Sequence, residues 1–199
     1  MLSVVIGTLN HERPLVPTLA SLVQGAAAGA VRDVIVVDGG STDATAEVAD
    51  VAGCEFLIET GALSQRLRAG VARARAPWLM FMRPGVVLNP GWVDECTRFQ
   101  ERMELQEIAD KRAAVFRPSP DSGGTRTIFA EAMTLLRASL GGRAHPEQGL
   151  ILSKRFYERL GGHRDGKGDP ESDLLSRIGR RQITMLRSEA FVVTRPDRT

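Results

Sequence analysis

Cysteine is scarce in this 199-residue chain: Cys54 and Cys96 stand alone, outside any CxxC or Cys/His cluster. Their isolation argues against structural zinc and leaves a reduced, cytoplasmic chain as the default. Neither sign of charge dominates. With 26 basic against 24 acidic side chains, a net charge of +2 gives no reason to expect nucleic acid as a partner. No apolar run approaches the roughly 20 residues that a bilayer span requires. The opening Leu2-Ser3-Val4-Val5-Ile6 also lacks the basic start of a signal peptide. The expectation is a soluble protein, or one peripheral at the inner face of a membrane. Two phosphate-binding signatures are missing as well. The turn Gly7-Thr8-Leu9-Asn10-His11-Glu12 does not carry G-x-G-x-x-G, and no P-loop occurs, which argues against a dinucleotide-dependent oxidoreductase. His11, His145 and His163 stand at no ligand spacing and read as structural or solvated.

What is present suits one globular domain. Apolar residues make up 43% of the chain and charged residues 25%, close to globular averages, and this length buries a sizeable core. Residues 3–8 and 33–38 are short β-branched runs of the kind found in strands covered on both faces. Between them, residues 13–30 carry Leu15, Leu19 and Leu22 at helical spacing. Ser41-Thr42-Asp43 caps a helix running to Val51, followed by a strand over 54–58, a helix over 64–75 and a strand over 78–82. This alternation predicts an α/β fold, a mostly parallel Rossmann-like sheet flanked by helices. Ligands bind where such strands end, so Thr8, Asn10, Asp38 and Arg83 are expected to share a cleft. Beyond Pro90, residues 92–114 are one helical stretch, or a helix followed by a strand reaching Val115-Phe116. A loop over 117–126, a helix over 128–140, a strand over 149–152 and a helix over 154–160, stopped by Gly161-Gly162, come next. A helix over 171–180 and a strand over 191–194 complete a single domain spanning 1–199.

The segment Val36-Val37-Asp38-Gly39-Gly40-Ser41-Thr42-Asp43 is the most informative. A carboxylate ends a buried strand, two glycines let the chain turn and a ligand approach, and a hydroxyl opens a helix. Asp38 placed so can accept hydrogen bonds from a nucleoside base or ribose. An ordinary β-turn-α junction with a capping Asp has the same spacing, and spacing alone does not choose between them.

Several segments together resemble glycosyltransferase family two. Ser3-Val4-Val5-Ile6-Gly7-Thr8-Leu9-Asn10-His11-Glu12 is similar to that family's opening strand, and Val37 to Asp43 to its second motif. Glu147-Gln148-Gly149-Leu150, Phe156-Tyr157-Glu158-Arg159-Leu160-Gly161-Gly162 and Pro170-Glu171-Ser172-Asp173-Leu174 resemble segments of a small subset that includes arsenosugar-biosynthesis-type enzymes. The resemblance implies a GT-A fold, with residues 1–90 as the nucleotide-binding half and 91–199 as the acceptor-binding half. Thr8 and Asp38 would contact base and ribose beside Gly39 and Gly40, with Asn10 and Glu12 on the same rim. Arg66 or Arg68 would approach the diphosphate, unless both lie on a solvated helix face. Glu147 and Gln148 would hydrogen-bond a sugar.

One departure from the family is plain. Its members carry a D-x-D motif after the fourth strand to hold Mg²⁺ or Mn²⁺; here Arg83-Pro84-Gly85 occupies that place, so the motif is degenerate and no metal ligand can be named. Either Arg83 itself supplies positive charge to the diphosphate, or the site binds nucleotide sugars without transfer, or Arg83 points to solvent. The resemblance puts Glu171 at the general-base position. Asp173 either shares that role or pairs with Arg177 one helical turn on. Arg177, Arg180, Arg181 and Arg187 form a basic region, a solvated face or one that touches an anionic lipid head group. The function implied is inverting transfer from a nucleotide-diphosphate sugar, a UDP-sugar foremost, to a hydroxyl on a glycan, lipid or small molecule. A nucleotide-sugar-binding protein of the same fold without activity is the alternative.

Overall fold

The computed structural model describes residues 1–119 and 144–193. Its first half follows the expected alternation: β1 (Leu2–Thr8), α1 (Glu12–Ala27), β2 (Val31–Asp38), α2 (Thr45–Val51), β3 (Glu55–Ile58), α3 (Leu63–Arg73) and β4 (Trp78–Met82). Side chains on a strand alternate between faces, so a strand sandwiched between helices must be apolar on both. On β1, Val4 and Ile6 enter a cluster with Leu15, Leu19 and Leu22 of α1. Val5 points the other way, into a cluster with Leu67 and Val71 of α3. β4 divides likewise: Trp78, Met80 and Met82 face the first cluster, Leu79 and Phe81 the second. That is why these strands read as unbroken hydrophobic runs.

Among the described residues the sheet has eight strands, in the order β3-β2-β1-β4-β7-β6-β8-β5. β1, β2, β3 and β4 are mutually parallel where they pair. The chain therefore winds outward from β1 through β2 to β3, then returns to place β4 on the other side of β1. The crevice beyond the carboxyl ends of β1 and β4 is a topological switch point, where such sheets bind ligands.

The second half departs from expectation in three places. β5 (Val86–Leu88) is an unforeseen strand, too short to show alternation. β7 (Leu150–Ser153) runs antiparallel to both β4 and β6. β8 (Ile183–Val192) begins well before the predicted strand over 191–194, because Thr184, Arg187, Ser188 and Glu189 break up its apolar character. Between β5 and β6 (Ala113–Pro118), α4 (Trp92–Leu105) stops short of Glu107, whose φ is 55°, so the helix-then-strand alternative is the one realised. α5 (Lys154–Arg159) and α6 (Pro170–Ile178) follow β7. The helix expected over 128–140 lies outside the described residues.

Candidate active site

Asp38 ends β2 with 2% of its surface exposed. Its carboxylate accepts from Thr8 Oγ1 at 2.8 Å, Gly40 N at 2.8 Å, Ser41 N at 2.6 Å and Ser41 Oγ at 2.5 Å. Those four donors use the lone pairs a carboxylate offers. Burial alone would raise the Asp38 pKa, but the Ser41, Thr8 and Gly40 hydrogen bonds outweigh it and hold the group below its ordinary value. The expectation of an acid open to a nucleoside therefore meets an acid engaged in shaping its own turn. Gly40 takes φ +97° inside that turn, a backbone angle glycine adopts without strain.

Asn10 and Glu12 belong to the same construction. Asn10 N donates to Ser41 Oγ at 2.7 Å, and Asn10 Oδ1 accepts from Thr42 N at 2.9 Å. Glu12 Oε2 accepts from Ala44 N at 2.9 Å, while Asp43 Oδ2 accepts from Glu12 N at 3.0 Å. The loops after β1 and β2 are thus laced together by hydrogen bonds. The Ser41-Thr42-Asp43 stretch does not cap α2 as expected: Ala44 is the N-cap and has no side-chain cap bond, while Asp43 Oδ1 accepts from Thr45 N at 3.1 Å in the turn before the helix.

The structure separates the two α3 arginines. Arg68 is committed elsewhere: it donates to both oxygens of Asp165, at 3.2 and 3.1 Å, and to the His163 carbonyl at 2.8 Å. Arg66 turns toward Gly39, where an added methyl would stand 1.8 Å from its Nη1. Its Nε is buried without a hydrogen-bond partner, and no carboxylate among the described residues pairs with it. An unpartnered buried guanidinium nitrogen is costly, and the Arg66 side chain lines the cavity described below.

Across the crevice, Arg83 follows β4 and is held by two acids. Its Nε donates to Glu171 at 2.5 Å, and its Nη2 donates to Asp169. Desolvation works against the Arg83 charge, but Glu171 and Asp169 more than restore it, so the guanidinium stays protonated. Glu171, 4% exposed, is pushed above its ordinary value by burial, with Arg83 opposing. Asp169 also caps α6, accepting from Ser172 N at 2.9 Å. The sequence reading passed over Asp169, although Asp-Pro at a helix start, with Pro at the first helical position, is a recognisable signal.

These groups meet in one cavity of about 240 Å³, lined by Thr8, His11, Arg66, Arg83, Asp169 and Glu171 among others. Burial lowers the His11 pKa, so its imidazole is neutral despite Asp43 nearby, and its Nδ1 accepts from Leu9 N at 3.0 Å. Of the predicted residues, Asn10, Glu12, Asp38, Gly39 and Gly40 build the neighbouring turn rather than line the cavity, and three more lie apart from it. Asp173 accepts from Arg177 Nε at 2.8 Å, the ion pair foreseen as its alternative. Gln148 is buried between Phe116 O, to which it donates at 2.9 Å, and His145 N, from which it accepts at 2.6 Å. Glu147 is beside His145, at 3.4 Å. None of the three lines the cavity.

A divalent cation of the kind the fold family employs does not fit the side chains present. Arg83 fills the space after β4, and the two carboxylates facing it, Glu171 and Asp169, already embrace its guanidinium. Hard cations require several free oxygen ligands, and no group of three or more metal-binding side chains occurs among the described residues.

Residues 3–147 match the family described as glycosyl transferase family 2. Among curated proteins, none matches the chain. Solved structures with the same fold include residues 1–349 of TarS from S. aureus, at 12% identity and a TM-score of 0.70. That match covers 96% of this chain but 60% of the TarS fragment. Glucosyl-3-phosphoglycerate synthase from Mycobacterium tuberculosis, solved with Mn²⁺ and UDP-glucose, gives 20% identity and a TM-score of 0.64. The match covers all of this chain (100%) and 72% of that one. The likeness identifies the fold as GT-A.

Proposed function

This chain belongs to glycosyl transferase family 2, and from that premise we propose that it moves a sugar from a nucleotide diphosphate to a hydroxyl acceptor, with inversion and without a divalent cation. The observation that carries the reading is Arg66. Its Nε is buried without a partner, its Nη1 lies against Gly39, and its side chain lines the same cavity as the Arg83–Glu171 pair. Both arginines line that cavity. Guanidinium binds phosphate oxygens in pairs, so the cluster supplies the charge that a metal supplies elsewhere.

In the proposed reaction, Glu171 takes the acceptor hydroxyl's proton as that oxygen bonds to the anomeric carbon. The bond from that carbon to the β-phosphate oxygen breaks, and the departing nucleoside diphosphate gathers charge facing Arg66 and Arg83. Asp38 acts at one remove, holding Gly39 to Ser41 in the shape that meets the nucleoside, while Thr8 lines the cavity floor. A UDP-sugar is the first donor to test, since the M. tuberculosis relative was solved with UDP-glucose. Acceptor candidates are a glycan, a lipid or a small molecule, and the arginines near β8 suit an anionic head group. No described helix is long and apolar enough to cross a membrane.

One observation favours a second reading, a nucleotide-sugar binder without turnover: the proposed base is a counter-ion to Arg83 in this structure. A single series separates the two. Thermal shift with UDP-, GDP- and dTDP-sugars, each with Mn²⁺ or with chelator, should identify a stabilising donor in either condition. Donor hydrolysis or transfer then distinguishes enzyme from binder. Binding that vanishes with chelator, or that survives Arg83→Ala undiminished, would remove the metal-free proposal.

A further inference from the structure

Arg83 sits between two tasks. Its Nε–H goes to Glu171 and one Nη2–H to Asp169. A guanidinium has five N–H donors, so three remain for another anion. The charged and titratable groups around Glu171 are few. Arg83 follows β4 and Asp169 opens α6, while His11 after β1 and Arg66 on α3 line the rest of the cavity. On its own helix, Asp173 is turned to Arg177. His163, in the loop before α6, is kept neutral by burial, its pKa lowered to about 3. Arg83 is thus the cation in contact with the Glu171 carboxylate.

A diphosphate arriving beside Arg83 draws on its free donors and adds negative charge near a buried acid. Both effects weaken the hold on the Glu171 charge. We propose that Arg83 is shared between Glu171 and the donor diphosphate, so that donor arrival converts Glu171 from a held counter-ion into a stronger proton acceptor. The proton comes from solvent, or from the acceptor hydroxyl during transfer, and lands on a Glu171 carboxylate oxygen. Asp169 is a positioning residue here: it keeps the guanidinium at the cavity wall as the grip on Glu171 loosens. The base then reaches its useful strength only in the donor complex, which favours donor binding before acceptor. This inference rests on the nucleotide-diphosphate reading of the cavity.

Titration calorimetry tests it without turnover. UDP-glucose is a suitable probe, because both of its phosphates are esterified and hold no proton that titrates near neutrality. Heats measured between pH 5 and 7 in buffers of differing ionisation enthalpy report protons taken up on binding. The wild type should take up a measurable fraction of a proton, to at most about one per donor. Glu171→Gln should bind the probe with that uptake lost, while Asp169→Asn, which retains a helix-capping side chain, should retain uptake. In turnover, the acid limb of kcat should lie about one pH unit above that of kcat/KM for the donor. Binding without uptake, or uptake unchanged in Glu171→Gln, overturns the coupling and leaves the nucleotide site standing. Failure to bind UDP-, GDP- or dTDP-glucose overturns both.

Discussion

Arg66 reaches the cleft because residue 39 has no side chain. Gly39 lies outside the left-handed backbone region, so alanine is tolerated there conformationally, yet its methyl would stand 1.8 Å from Arg66 Nη1. Gly39→Ala should therefore leave the melting temperature nearly unchanged while displacing the guanidinium. Losing charged hydrogen bonds of this kind weakens binding about tenfold or more, which calorimetry with the preferred nucleotide would register. His163 makes a different prediction. Its ring packs edge-on to Phe81 with centroids 4.7 Å apart, and burial, helped by Arg177 and Arg68, lowers its pKa to about 3. The unfolded chain holds the extra proton below about pH 6.5, so the His163 contribution is present above that pH and fades on acidification toward 3. The slope is about 1.4 kcal/mol per pH unit in that window. His163→Phe should flatten it in denaturant titrations at pH 7, 6 and 5. The Asp38–Gly39 turn was legible beforehand, since strand, acid and glycines are contiguous, whereas the commitment of Asp38's carboxylate to that turn was not. Which α3 arginine stays free was not, because Asp165, the partner of Arg68, lies 97 residues away.

At the scale of elements, α6 delivers Glu171 to the cavity, and Asp169 sets where that helix starts. Asp169→Ala removes a capping acceptor worth about 1 kcal/mol. For a chain of this size that lowers the melting temperature by about 2–4 °C, whereas Asp169→Asn should lose less; scanning calorimetry of the pair checks it. The helices and parallel strands of the first half were readable because each buries a continuous face. The second half was harder. β5 has three residues, β7 reverses direction without any sequence mark, and β8 is half-exposed along most of its length. Edge and antiparallel strands take their partners from the tertiary fold, and local pattern does not name those partners.

For the molecule as a whole, the cleft and the sheet that frames it should be stabilised together. A donor at about 100 times its Kd adds about 2.7 kcal/mol, which corresponds to a melting shift of about 5–10 °C. The shift should be equal in chelator and in Mn²⁺ if arginines alone neutralise the diphosphate. A second consequence concerns the order of events in folding. The turn that carries Arg83 is fastened at Gly85, whose N–H donates to Pro14 O and whose carbonyl accepts from Val193 N, each at 2.9 Å. Val86 next to it pairs with Val192. Half of the clasp, the Val193 bond and the β5–β8 pairing, therefore comes from the far end of the described chain. Long loops close late and at an entropic cost, and amino-terminal strands leave the ribosome first. A nascent chain would hold a nearly complete nucleoside floor well before its arginine has a fixed address, so ligand affinity should mature last, after most of the secondary structure has formed.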